Sequence, residues 1–222
     1  FTMQHNILRN LNNIKNNILK ICKKINRNPK DINIVAVSKK QSIEKIEELL
    51  KYNHHCFGEN RLEEFEDKWS GLNKSNLKLH FIGALQSKKV KAIVKQFNVI
   101  ETLDTESSAM KIANLNIKYK NKLKLFVQIN LGNEIQKRGI ASYETGNFLN
   151  MCKEKYKLTI SGAMAIPPKS NVPEKYFRAL KDLCIKNNLK ELSMGMSEDY
   201  EKAIELGSTN IRIGTLLFGK RN

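Results

Sequence analysis

Eight short apolar runs alternate with helix-like segments along this chain, and that alternation constrains the fold more than any other feature. The runs cover residues 34–37, 56–58, 79–85, 99–103, 123–131, 158–166, 192–196 and 211–218. Helix-like segments lie between and around them, near 42–53, 60–69, 87–97, 106–119, 142–156, 173–187 and 199–206. Several runs are continuously apolar rather than alternating, as strands covered by helices are. Eight repeats of strand then helix predict an α/β fold, a single TIM (β/α)8 barrel. An extra N-terminal helix is expected over 4–26, where Ile7, Leu11, Ile14, Ile18, Cys22 and Ile25 recur at steps of three and four. The rival is an open doubly wound sheet, but no Gly-x-Gly-x-x-Gly follows the first strand. No linker, low-complexity block or second domain interrupts the 222 residues, so 1–222 reads as one domain.

Composition narrows the function classes. The formal net charge is +17, which raises the question of nucleic acid. Lysines are spread over every helix, however, and aromatics do not interleave with them as a stacking platform requires, so no specific nucleic acid is expected. The denser group Lys88, Lys89, Lys91 and Lys95 reads either as a solvated helix face or as an attractor of phosphorylated ligands. No apolar run reaches membrane-spanning length. The amino-terminal residues do not read as a secretory signal, and they are too poor in Arg and Ser to favour an organelle transit peptide. Cys22, Cys56, Cys152 and Cys184 are widely separated and read as reduced residues of a cytoplasmic protein. His54 and His55 are adjacent and cannot both face one metal from a helix or strand, so no metal is expected.

In a barrel of this kind, chemistry gathers at the carboxyl ends of the strands. Here those ends carry Lys39, Glu59-Asn60, Gly83 to Gln86, Asp104-Thr105, Asn130, Met164 to Pro167, Ser197 and Gly214-Thr215. The last two strands both break into small hydroxyl and glycine residues, Leu192 to Asp199 and Gly207 to Thr215. Small residues let backbone N–H groups approach an anion, and a following helix offers its positive end. Two such ends side by side suggest a phosphate cradle. Far upstream, Ile34-Val35-Ala36-Val37-Ser38-Lys39 ends a buried strand in a lysine. Desolvation there favours a nucleophilic, Schiff-base-forming amine. A strand-end lysine with a phosphate cradle is the arrangement a pyridoxal 5′-phosphate (PLP) site needs.

Each candidate has a plainer reading. Lysines at strand ends are more often surface residues, and only the cradle lifts Lys39 above that. Alternation turns Lys40 away. Ser197, Gly214 and Thr215, with Met196 contributing main chain, are phosphate candidates, but Ser197 also suits a helix cap. Arg212 points the same way as Gly214 inside the last strand. It needs a partner there, either a cofactor ring nitrogen or an ion pair with Glu59 or Asp104. Asn60 suits a ligand contact or a cap equally. His80 reads as a packed core residue, and Met164, Met194 and Met196 as packing. Nothing places Tyr143 or Tyr200 in the mouth.

Beyond these readings, the chain resembles the pyridoxal phosphate homeostasis protein family, PLP-binding barrels related to the alanine racemase amino-terminal domain. The resemblance is carried by Ala36-Val37-Ser38-Lys39, Phe57-Gly58-Glu59-Asn60, His80-Phe81-Ile82-Gly83-Ala84-Leu85-Gln86-Ser87, Gln128-Ile129-Asn130, Met164-Ala165-Ile166-Pro167 and the ending Leu192 to Ser197 through Gly207 to Gly219. It implies a PLP Schiff base on Lys39, phosphate contacts at Ser197, Gly214 and Thr215, Arg212 facing the ring nitrogen, and Asn60 near the cofactor. Two departures stand out. Lys40-Gln41-Ser42 lacks the family's usual proline, and Lys88-Lys89 follow Leu85-Gln86-Ser87 where Asn-Lys is usual.

The implied function is to buffer PLP and deliver it to PLP-dependent apoenzymes, without established turnover. The alternative is a PLP-dependent amino-acid racemase or a related PLP enzyme. An arginine can only donate, so it keeps the ring nitrogen unprotonated and weakens the cofactor as an electron sink. The chain ends at Asn222, soon after the last strand, so an open site and a monomer are expected, without the racemases' added domain.

Overall fold

The computed structural model describes residues 3–115, 123–132, 134, 136–168 and 172–219. Among the described residues, nine strands form one sheet: β1 Asn33–Val37, β2 Cys56–Glu59, β3 Lys78–Phe81, β4 Val99–Leu103, β5 Lys124–Asn130, β6 Ile140–Ala141, β7 Ile160–Ala165, β8 Glu191–Ser193 and β9 Asn210–Ile213. They run in the order β4-β3-β2-β1-β9-β8-β7-β5-β6, and β4 also pairs with β5. That last pairing closes eight parallel strands into a TIM barrel, with β6 added outside the ring on β5. All eight expected strands are present, and the open sheet is ruled out by the closure. The two-residue β6 has no apolar run to announce it. The expected last strand, 211–218, is split: it stops at Ile213, and Thr215–Phe218 is helical.

The described helices are α1 Met3–Lys24, α2 Ile43–Lys51, α3 Leu62–Trp69, α4 Val90–Gln96, α5 Glu106–Ala113, α6 Thr145–Glu154, α7 Glu174–Lys186, α8 Tyr200–Glu205 and α9 Thr215–Phe218. The far end of the helix expected over 106–119 lies outside the described residues. Helix α1 is the additional N-terminal helix. Its apolar stripe, Ile7, Leu11, Ile14, Ile18, Ile21 and Cys22, is buried, and the helix lies against α2, α8 and α9. Asn10 donates to the Leu217 carbonyl at 3.1 Å, Asn17 to the Tyr200 hydroxyl at 2.7 Å and Arg27 to the Ile204 carbonyl at 3.1 Å. Thus α1 buttresses the two short helices that follow β8 and β9. No helix among the described residues is long and apolar enough to cross a membrane.

Strand alternation divides the core in two. Outward residues such as Ile34, Ala36, Phe57, Leu79, Phe81, Ile100, Ile211 and Ile213 pack beneath the helices in one large apolar cluster. Val127, Ile129, Ala163, Ala165 and Leu192 do the same on the other side. Inside the ring, Val99, Phe126 and Met164 form a small apolar layer. A second inward group is polar: His80, Glu101, Ser193 and Arg212 are all buried. A barrel interior that carries two basic side chains and a carboxylate must satisfy them internally.

Candidate functional site

Strand β1 delivers Lys39. Its last residues pair with β2, Val37 opposite Gly58, and with β9, Ala36 opposite Ile213. Lys39 therefore emerges between the ends of β2 and β9, half-buried, while Lys40 is exposed and adopts a positive φ of 58°. The turn is held from behind. The Ser38 hydroxyl donates to Glu59 Oε1 at 2.7 Å, and Trp69 Nε1 donates to the same oxygen at 3.2 Å. Lys68 Nζ sits 2.9 Å from Glu59 Oε1, 3.0 Å from Glu64 and 2.7 Å from the Ser38 carbonyl. Glu64 also receives the Lys40 N–H. This clamp, built from β2 and α3, was not anticipated from the sequence.

Asn60 follows β2 and is half-buried. Arg61, not Asn60, occupies the N-cap position of α3, and no side chain caps that helix. The capping alternative for Asn60 is therefore not the one realised. Gly83 explains how close the two loops lie: a Cβ there would fall 1.9 Å from the Asn60 carbonyl oxygen. Only glycine permits that approach.

Strands β8 and β9 build the other side. Gly195 turns the chain out of β8 with φ 94°, and its carbonyl accepts the Arg212 N–H at 2.9 Å. Ser197 does not cap the helix that follows it, because Asp199 takes the N-cap position of α8. Instead the Ser197 hydroxyl accepts the Leu216 N–H at 3.1 Å. That bond joins the two strand ends into one surface at the start of α9, where first-turn N–H groups lack intrahelical partners. Gly214 is half-buried and Thr215 exposed. A Cβ on Gly214 would stand 3.7 Å from Val37 Cβ, which places this cradle beside the strand that carries Lys39. Met196 is 40% exposed at the rim, and its N–H already donates to Asp199 at 2.6 Å.

Arg212 lies beneath the cradle, inside the ring. Its Nη1 donates to Ser193 Oγ at 2.6 Å and its Nη2 to the Ala165 carbonyl at 2.9 Å. Its carboxylate partner is neither Glu59 nor Asp104. Glu59 belongs to the Lys68 clamp, and Asp104 is held by Arg138 through two bonds of 2.8 and 2.7 Å. The partner is Glu101, 3.8 Å away. His80, expected as a packed core residue, is buried and also an ion-pair partner, with Nδ1 2.6 Å from Glu101 Oε1. Burial works against a charge on His80, but Cys56 and Glu101 outweigh it and hold its pKa up at about 9. Burial would raise the Glu101 carboxyl; His80, Arg212 and Ser193 more than offset this and pull it down. Burial lowers Arg212 from the ordinary arginine value, against the pull of Glu101 and Asp199.

The remaining residues weighed in the sequence lie or pair elsewhere. Asn130 donates to the carbonyls of Glu134 and Lys137 in its own loop. Tyr200 lies under α1, and Tyr143 is exposed. Met164 and Met194 are fully packed. Lys89 of the basic cluster pairs with Glu63.

Residues 9–222 match the family described as alanine racemase, N-terminal domain. A pyridoxal phosphate homeostasis protein of Haemophilus influenzae is 35% identical, covering 98% of this chain and 97% of its own length. One from Escherichia coli is 31% identical, with 98% of both covered. The chain belongs to the pyridoxal phosphate homeostasis protein family. Its fold agrees with a solved structure of similar size: PipY of Synechococcus elongatus with PLP bound superposes with a TM-score of 0.74 at 27% identity, over 91% of this chain and 100% of that one. An alanine racemase of Clostridium difficile shares the fold at a TM-score of 0.69 and 17% identity, with 98% of this chain matching only 57% of the racemase.

Proposed function

We propose that this chain binds PLP and serves as a reversible cytoplasmic store that buffers the cofactor and hands it to PLP-dependent apoenzymes. One observation carries the proposal. The turn bearing Lys39, the Ser197–Leu216 junction and the buried guanidinium of Arg212 converge on one barrel mouth. The residues fit the cofactor's three parts. Ser197, Gly214 and Thr215, at the start of α9, suit the phosphate, with Met196 at its rim. Arg212 commits two of its five N–H groups to Ser193 and Ala165, and others remain to meet a ring nitrogen. Asn60 flanks the ring, and Lys39 completes the site.

When bound, the cofactor supplies an aldehyde that condenses with an amine. Lys39 would hold that group through its amine, in a condensation that would release water and that hydrolysis would reverse. Membership in a family named for homeostasis supports storage over turnover. So does Arg212, because a donor facing the ring nitrogen keeps that nitrogen unprotonated and weakens it as an electron sink.

The test is borohydride reduction of PLP-loaded protein followed by peptide mapping. The adduct is expected on Lys39, and transfer to an added apoenzyme is expected before reduction but not after. An adduct found only on another lysine would refute the assignment. Saturable racemisation of enantiopure amino acids, abolished in Lys39→Ala, would replace storage with an enzymatic reading.

A further inference from the structure

The polar chain inside the barrel has a direction. Glu101 is held ionised by its surroundings, so it accepts only. His80 Nδ1 must then carry the proton it shares with Glu101 Oε1 at 2.6 Å. Ser193 has one hydroxyl proton and gives it to Glu101 Oε2, also at 2.6 Å. Its lone pairs are therefore left facing Arg212, whose Nη1 donates to them at 2.6 Å. Every bond in the series runs toward the carboxylate: His80 and Ser193 donate to Glu101, and Arg212 donates to Ser193. The second bond of the guanidinium, to the Ala165 carbonyl at the end of β7, fixes its plane. Four members of this series, on β3, β4, β8 and β9, are buried, and Glu101 and Ser193 have no measurable exposure.

The proposed store needs Arg212 as a ring-nitrogen donor but does not need Glu101 or Ser193 to touch the cofactor. Left alone, an arginine on a barrel wall has freedom to rotate its fork toward solvent or toward another carbonyl. A hydroxyl without Glu101 beside it is equally free to turn its proton toward Arg212, which would push the guanidinium away. Glu101 removes both freedoms. We propose that Glu101 is the positioning residue for Arg212: held by His80 and acting through the Ser193 hydroxyl, it aims the guanidinium at the ring nitrogen of bound PLP. This rests on the PLP reading above and adds to it a layer of residues that make no cofactor contact. The carboxylate also supplies the negative charge that lets a guanidinium stay buried beneath the ring.

The experiment uses the full chain and PLP itself. Wild type, Ser193→Ala, Glu101→Gln, Arg212→Gln and the Ser193→Ala/Arg212→Gln double variant are loaded with PLP. The absorption band of the bound cofactor is followed against pH, and its release rate is measured by dilution into a trap. Folding of each variant is checked by near-ultraviolet circular dichroism. Ser193→Ala and Glu101→Gln are each expected to move the pH at which the band changes and to speed release roughly tenfold, the scale of one charge-assisted hydrogen bond. In the Arg212→Gln background, Ser193→Ala is expected to add nothing, because its influence passes through Arg212. Failure of wild type to load PLP would overturn the cofactor reading itself. With wild type loaded, a folded Ser193→Ala that keeps the wild-type band, pH response and release rate would overturn the positioning role. So would an undiminished effect of Ser193→Ala in the double variant. Should Glu101→Gln not fold, the Ser193 comparisons decide alone.

Discussion

The clamp behind Lys39 yields the sharpest quantitative expectation, through Lys68→Met. Lys68 and Glu59 form an ion pair at 2.9 Å with side chains only 9% and 1% exposed. Methionine preserves the apolar stem that lines α3 but removes the cation. Glu59 Oε1 would retain its bonds from Ser38 and Trp69, while its charge would stay in a dry environment without an opposite one. Breaking one side of a buried pair costs about 3–5 kcal/mol, against less than about 1 kcal/mol for an exposed pair. Two further bonds go with it, to Glu64 and to the Ser38 carbonyl. The unfolding free energy from urea titration is expected to fall by that amount, and the midpoint by that amount divided by the unchanged slope. Adding Glu59→Gln should recover part of the loss, since the orphaned charge is gone and the amide oxygen can still accept from Ser38 and Trp69. Because Ser38 precedes Lys39, the single variant should also release PLP faster. A loss below about 1 kcal/mol would show that the pair is solvated, and a double variant no more stable than the single would show that the two residues do not act as a pair.

Three other outcomes are expected. Gly83→Ala places a Cβ 1.9 Å from the backbone oxygen of Asn60, which no rotamer change relieves. A loss of at least about 3 kcal/mol in urea unfolding is expected, at the upper end for overpacking; unaltered stability would contradict the close approach of the two loops. Burial depresses the His54 pKa to about 4 against its bond to the Cys56 carbonyl, with Lys15 and His55 adding to the depression. A base with a lowered folded pKa contributes stability above its unfolded value, near 6.5, and loses it as pH falls toward 4. Roughly 3 kcal/mol should disappear over that window, and His54→Gln should flatten the slope; an equal slope in that variant would move the effect elsewhere. Arg212→Lys keeps the charge but cannot reach both Ser193 Oγ and the Ala165 carbonyl with a planar fork. Weaker PLP retention, measured by equilibrium dialysis, is expected, and retention equal to wild type would show that charge alone suffices.

The barrel was legible in the sequence because its signal is redundant. Eight apolar runs separated by helical spacing admit few architectures, and blurring any one of them leaves the count intact. The boundary at Ile213 was not legible, since apolar residues resume at Leu216–Phe218 right after Ile211–Ile213 and the switch to helix comes from Gly214 and the bond between Ser197 and Leu216. Apolar content alone does not distinguish a strand continuing outward from a helix turning back across the mouth. The same holds for Ser197, whose local context suits a cap. Its actual partner lies nineteen residues away, in an element the sequence did not separate from the strand.

The interior polar chain shows a different kind of gap. Of its members, His80 and Arg212 were read from the sequence, each on its own, and Glu101 was not. Glu101 interrupts Val99-Ile100-Glu101-Thr102-Leu103, and Arg212 interrupts Ile211-Arg212-Ile213. A charge in such a run implies a buried partner, and for Arg212 the sequence offered Glu59 or Asp104. Both are acidic residues at strand ends, where carboxylates are expected to face a mouth. The structure chose a mid-strand residue instead, because β4 and β9 are not neighbours in the ring and only a side chain pointing across the interior can meet Arg212 there. Inward direction follows from alternation within each strand, but the height at which two inward residues meet depends on strand stagger around the closed ring. Stagger is set by all eight strand pairings together, so no local pattern reports it. A pair such as Glu101 and Arg212 is therefore predictable as a need but not as a contact, and the need could have been matched earlier by giving mid-strand carboxylates precedence over those at strand ends.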